Sequence, residues 1–176
     1  MKAYAAGGSS NTPADVLSLM TQIAGVMSSK GITLRCSEQS EADKAFAKGS
    51  KGNYFAFAPC GRIDESLDDP DAKAEPGSPW TIPSDIQPSS GDATFARSLD
   101  AKFIMLPRAE KQWEVVANSL IYGLDRVSLA KMLIVWSEPG DHVERYIKKA
   151  TAAGVRVYNL ALEADRKTMQ GLVDRA

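Results

Sequence analysis

The chain has 176 residues, of which 44% are apolar and 24% charged, and a formal net charge of -1. That is one domain's worth of sequence, apolar enough to build a sheet covered by helices on both faces and without the global basic field that gathers nucleic acid. No apolar stretch nears the roughly 20 residues of a membrane span, and the opening MKAYAAGGSSNTP lacks an apolar core of signal-peptide length, so a cytoplasmic protein is expected.

The first elements alternate. Lys2 to Ala6 reads as a strand running into a Gly7-Gly8-Ser9-Ser10 loop. Thr12 is placed to cap a helix and Pro13 to take its first position, where a missing N–H has no consequence. Val16, Leu19, Met20, Ile23, Ala24 and Met27 follow at helical spacing, and Lys30-Gly31 ends the helix. A second strand covers Ile32 to Cys36. A short helix is predicted from Glu41 to Lys48, ended by Gly49, with Ser40 and Asp43 as its capping pair. Tyr54 to Ala58 forms a third strand.

Residues 59–92 break the pattern. They hold most of the prolines and an acidic run through Asp68-Asp69-Pro70-Asp71, and they read as a long irregular excursion over the surface, pinned by Trp80 and Ile82. Thr94 to Leu106 and Pro107 to Leu124 look helical. Lys131 to Trp136 is a near-continuous apolar run, which suits an interior strand buried on both faces, with Met132 to Val135 at its centre. A helix from His142 to Ala153, a strand from Val155 to Leu160 and a helix from Glu163 to Arg175 complete the chain. The expected fold is α/β, a Rossmann-like three-layer domain with a five-stranded parallel sheet and right-handed crossovers.

In such a sheet, ligands sit beyond the carboxyl ends of the strands where strand order reverses. Three loops qualify. In Gly7 to Thr12 the glycines permit close backbone approach. Ser9, Ser10 and Asn11 offer polar groups, and the next helix presents N–H groups to an anion. The alternative for this loop is a plain strand–helix turn. Cys36 to Ala42 carries Glu38 and Glu41, which repel phosphate. Those carboxylates suit a ribose hydroxyl, a metal ion or a basic partner, or simply the helix start. Ser137 to Val143 contains Gly140, with Asp141, His142 and Glu144 beside it. These serve either acid–base chemistry or a helix's first turn. Cys36 and Cys60 lie outside any CxxC pair, and His142 is the only histidine. The pattern therefore implies reduced thiols, no metal site and no cofactor.

The segment Tyr4-Ala5-Ala6-Gly7-Gly8-Ser9 with Thr12-Pro13 resembles the YAGIGSR-x-TP start of a group of phage and bacterial proteins in the SLOG superfamily of Rossmann-like domains. That superfamily includes the DNA-processing protein A fold and the lonely-guy phosphoribohydrolases. Leu34-Arg35 with Ala42-Asp43 and Ala45-Phe46 is similar to its LRSGGADGAD-x-AF segment. Ala117-Asn118 with Gly123, Val135-Trp136, and Val157 to Ala161 resemble its ARN, VICWT and VFNLA steps. The chain departs from the pattern at Cys36-Ser37-Glu38, where the family has Ser-Gly-Gly, and at Glu41, where it has a further glycine. It departs again at Pro139-Gly140-Asp141-His142-Val143-Glu144, where the enzymes carry PGGxGT and a catalytic Glu. Side chains in place of glycine fill the phosphate position.

Three functions follow. The first is a binding protein for a nucleotide or nucleotide-derived small molecule without turnover, phage-encoded by resemblance, using Gly7, Gly8, Ser9, Ser10, Asn11, Arg35 and Gly140. The second is an interaction protein on a repurposed fold, an inhibitor of a host factor or a virion component. The third is a phosphoribohydrolase-like N-glycosidase, with Glu144 or Glu38 assisting and Arg35 holding a phosphate. Nucleic acid and membrane are not expected partners; a homo-oligomer stays open.

Overall fold

The computed structural model describes residues 2–37, 39–57 and 90–176. The apolar runs form five strands: β1 (Ala3–Gly8), β2 (Thr33–Cys36), β3 (Tyr54–Ala56), β4 (Met132–Trp136) and β5 (Arg156–Asn159). Among the described residues six α-helices join or flank them: α1 (Ala14–Ser29), α2 (Glu41–Ser50), α3 (Ser90–Leu99), α4 (Arg108–Tyr122), α5 (Glu144–Ala152) and α6 (Glu163–Val173). All strand pairs are parallel, in the order β3-β2-β1-β4-β5. The chain moves outward from β1 to β3, then returns to the far side of β1 to lay down β4 and β5. Strand order therefore reverses between β1 and β4.

Every residue of β1 is buried, as are Leu133 to Trp136 of β4. The expected interior strand is thus borne out, and its cause is that parallel strands have helices on both faces. On one face Tyr4, Ala6, Leu34, Ile134 and Trp136 pack against α1, α2 and α6. On the other, Ala5, Leu133 and Val135 meet Val116, Leu120 and Ile121 of α4 and Val143, Tyr146 and Ala150 at α5. Each large side chain so buried contributes about 1.5–3 kcal/mol. α3 reaches this second layer through α4: Ala96 clusters with Val115 and Phe103, and Phe95 meets Tyr122 edge-on at 5.2 Å.

Several boundaries differ from expectation for local reasons. Gly7 and Gly8 belong to β1, because Gly7 pairs with Val135 and Gly8 with Trp136. Pro13, not Thr12, is the N-cap of α1, and the Thr12 hydroxyl donates instead to the Ser9 carbonyl at 2.7 Å. The helix expected over Thr94 to Leu106 is two pieces, since Asp100 is extended and its carboxylate caps a 3-10 turn at Ala101–Met105 by accepting from Lys102 N–H. α3 begins at Ser90, inside the expected excursion; the rest of that excursion, with Cys60, Trp80 and Ile82, lies outside the described residues.

Gly49 does not end α2 as expected; the helix runs on to Ser50 and stops at Lys51, in the left-handed region at φ 53. Gly49 is a packing residue. A Cβ there would lie 2.1 Å from the Thr21 carbonyl oxygen and 2.8 Å from Ala24 Cβ, so α1 and α2 touch backbone to backbone. Gly25 faces the same seam with its nearest atom at an ordinary 3.7 Å. Gly49→Ala is expected to destabilise the fold by about 1–3 kcal/mol through overpacking. Gly25→Ala is expected to be neutral or to stabilise by up to about 1 kcal/mol, from helix propensity. Urea denaturation of both variants checks the contrast; equal effects would remove the close-contact explanation.

Candidate functional site

Because β2, β1 and β4 are neighbours, the three loops singled out from sequence meet at one edge of the sheet. The Ser9 N–H donates to the Trp136 carbonyl at 3.2 Å, joining the first loop to the third across the point where strand order reverses. Ser9 is buried and its hydroxyl accepts from Asn11 N–H at 3.2 Å, while Ser10 and Asn11 are exposed. α1 follows with no side-chain cap. Its Asp15 is solvent-facing and lies 3.8 Å from Arg166.

Gly7 and Gly8 are packed by protein. A Cβ on Gly8 would lie 2.6 Å from Ala42 Cβ and 3.2 Å from Thr12 Oγ1. On Gly7 it would lie 3.0 Å from Asp43 Oδ1 and 3.4 Å from the Tyr146 ring. The glycines thus let α2 and α5 close on the end of β1.

Asp43 is the centre of the second loop. Its Oδ2 accepts from the Ser37 hydroxyl at 2.6 Å and from Gln39 and Ser40 N–H at 3.1 Å each. Ser40 Oγ accepts in return from Asp43 N–H, completing the capping pair expected from sequence. Oδ1 is buried and has no partner. Burial pushes the Asp43 carboxyl above the ordinary carboxylate range, against the hydrogen bonds from Ser37, Ser40 and Gln39. Tyr146 Oη, from the other side of the crevice, is likewise buried without a well-formed hydrogen bond. Burial first, then the Asp43 charge, raises its pKa, although Ser37 is near enough to pull the other way. Both amide atoms of Asn118 on α4 are also buried and unpartnered. Glu41 is exposed and paired with Lys44 at 2.7 Å. Glu38 lies outside the described residues.

The third loop is closed by its own acids. Gly140, at φ +87, donates its N–H to Glu144 Oε1 at 3.0 Å. Asp141 Oδ1 accepts from Val143 N–H at 3.2 Å and lies 2.8 Å from His142 Nδ1. The His142 ring sits 5.7 Å from that of Trp113. Asn159 ties this loop to β5, accepting from Ser137 N–H and donating to its carbonyl.

Arg35 does not join these groups. Its guanidinium donates to the Ser128 carbonyl at 2.8 Å and abuts Gly123, in the connection that enters β4 from the opposite edge of the sheet. Burial lowers its pKa and Asp125 offsets part of that effect. Sequence reading weighed Asp43 only as a cap and passed over Tyr146, whose helical spacing marks a core residue; nothing in the sequence puts the two over Gly7. Among the described residues no group of three or more His, Cys, Asp or Glu is placed to hold a metal, and no helix is long and apolar enough to cross a membrane.

Two outcomes follow. Gly8→Ala drives a methyl into Ala42, so a stability loss of about 1–3 kcal/mol is expected from thermal denaturation followed by circular dichroism. For Asp43 the folded pKa is raised, so the stabilisation of its neutral form is full below the unfolded value near 4 and is lost as pH rises through the folded pKa. Urea denaturation should show Asp43→Asn gaining on the wild type as pH rises above about 4. A pH-independent difference would show that folding leaves the carboxyl's affinity for protons unchanged.

Compared with family models, with curated proteins and with solved structures, the chain finds no match.

Proposed function

We propose that this domain binds a nucleotide or nucleotide-derived small molecule at the N-terminal end of α1 and does not turn it over. The observation that carries the reading is a difference between three helix ends at one edge. α2 has Asp43 on the N–H groups of Gln39 and Ser40, and α5, itself without a side-chain cap, has Asp141 and Glu144 on the N–H groups of Val143 and Gly140 just before it. α1 starts at Pro13 with no side-chain cap, and its first N–H groups have no partner within the helix. A helix end of that kind, where strand order reverses, is a ready site for a phosphate or other anion. The resemblance to the SLOG superfamily, with its phage and bacterial members, supports the same reading.

Turnover is not proposed, because the candidate acid Glu144 is engaged by Gly140 and Arg35 lies at the far edge. Calorimetry with AMP and other nucleoside monophosphates tests the site. Ser10→Asp and Asn11→Asp each place a negative charge on exposed positions before α1, and each is expected to weaken binding at least roughly tenfold, about 1.4 kcal/mol. Normal binding by both variants would reduce the loop to a turn. Incubation with AMP is expected to release no free base; release abolished by Glu144→Gln would restore the N-glycosidase reading.

A second reading, an interaction protein, is favoured by Leu124, Val127 and Leu129, all exposed in the connection from α4 to β4 at the opposite edge.

A further inference from the structure

We propose that Asp43 and Tyr146 form a polar subsite over Gly7 that takes a sugar hydroxyl of the bound ligand; this rests on the nucleotide reading and narrows it. The two residues come from either side of β1, Asp43 from the start of α2 beyond β2 and Tyr146 from α5 beyond β4. They meet at the end of the strand between: the point where a Gly7 side chain would begin is 3.0 Å from Asp43 Oδ1 and 3.4 Å from the Tyr146 ring. Oδ1 is buried without a partner and Oη is buried with no well-formed hydrogen bond, only the Ser37 side chain near it, whereas the other oxygen of Asp43 takes three hydrogen bonds. A buried polar atom left unsatisfied costs on the order of 1–3 kcal/mol, so such orphans mark a place for a missing group.

The chemistry of the pair selects that group. Asp43 Oδ1, the oxygen that Ser37, Gln39 and Ser40 leave free, is placed to accept, and when the carboxyl is ionised it repels phosphate or carboxylate. Tyr146 Oη can donate. A hydroxyl satisfies both, giving its proton to Oδ1 and accepting from Oη, which a phosphate oxygen cannot do. Gly7 and Ser9 are two residues apart, roughly 7 Å of strand. A ligand whose anionic group rests on the end of α1 therefore brings its sugar, rather than a second phosphate, toward Gly7. Both atoms are closed to solvent, so occupation requires the edge to open locally, and association should be slower than docking onto an open surface.

The experiment compares ribonucleoside monophosphates with their 2′,3′-dideoxy counterparts by calorimetry, on the wild type, Tyr146→Phe and Asp43→Asn. Tyr146→Phe removes a buried hydroxyl that makes no well-formed hydrogen bond, so its melting temperature should not fall below the wild-type value. The wild type should bind the ribo form at least roughly tenfold more tightly than the dideoxy form. Tyr146→Phe should bring the ribo form to the dideoxy level and leave dideoxy binding unchanged. Asp43→Asn, which presents a donor or a neutral oxygen at Oδ1, should also erase the preference. Such non-additivity between ligand and protein changes is the signature of direct contact. If the wild type binds both forms equally, the orphans hold buried water only; the subsite is then overturned and the nucleotide reading stands. If it binds neither, both fall together.

Discussion

Two missing side chains govern the functional edge. β1 pairs with β2 through Ala3 to Ala5 and with β4 from Ala5 to Gly8, so whatever crosses its end must fit over residues 7 and 8. With Gly8 bare, Ala42 at the start of α2 comes against the strand; with Gly7 bare, Asp43 and Tyr146 meet above it. The glycines that sequence reading assigned to close ligand approach first of all permit close approach by the protein itself. Any pocket at this edge is therefore shallow over Gly8 and polar over Gly7.

The same edge sorts its helix ends by charge. A helix N-terminus attracts anions through its free N–H groups and its dipole, and an internal carboxylate meets that demand as well as an external phosphate does. Asp43 accepts from Gln39 and Ser40 N–H at the start of α2, and Asp141 and Glu144 accept from Val143 and Gly140 N–H just before α5. α1 instead follows a short polar loop and has no side-chain cap.

The fold was legible because its signals are periodic. The helical spacing from Val16 to Met27 and the unbroken apolar run before Trp136 report burial on one stripe or on both faces, and the structure has both. Punctuation was less reliable. Gly49 looks like a stop and is instead a contact with Thr21, and only the tertiary partner distinguishes the two. Thr12 looks like a cap, but its hydroxyl is taken by Ser9. Arg35 belongs to a motif-like segment, yet odd and even positions of β2 face opposite layers, and its reach carries it to Ser128 rather than to the loops. The pairing of Ser40 with Asp43 was readable from spacing, while the unpartnered second oxygen of Asp43 depends on residue 7 of another strand.

The reversal of strand order also sets a timetable for biosynthesis. β1 ends at Gly8 and its partner on one side, β4, ends at Trp136, so about 130 residues of synthesis separate the two. At ordinary translation speeds that interval is on the order of ten seconds. Throughout it, the fully apolar-facing β1 has an unpaired edge, the kind of template that invites pairing with a neighbouring chain. Closing it later requires contacts between residues more than half the sequence apart, which is the slow class of folding event. The strand that anchors the finished sheet is thus the nascent chain's most exposed liability, and a chaperone holding that edge until β4 emerges would act where the fold is most vulnerable.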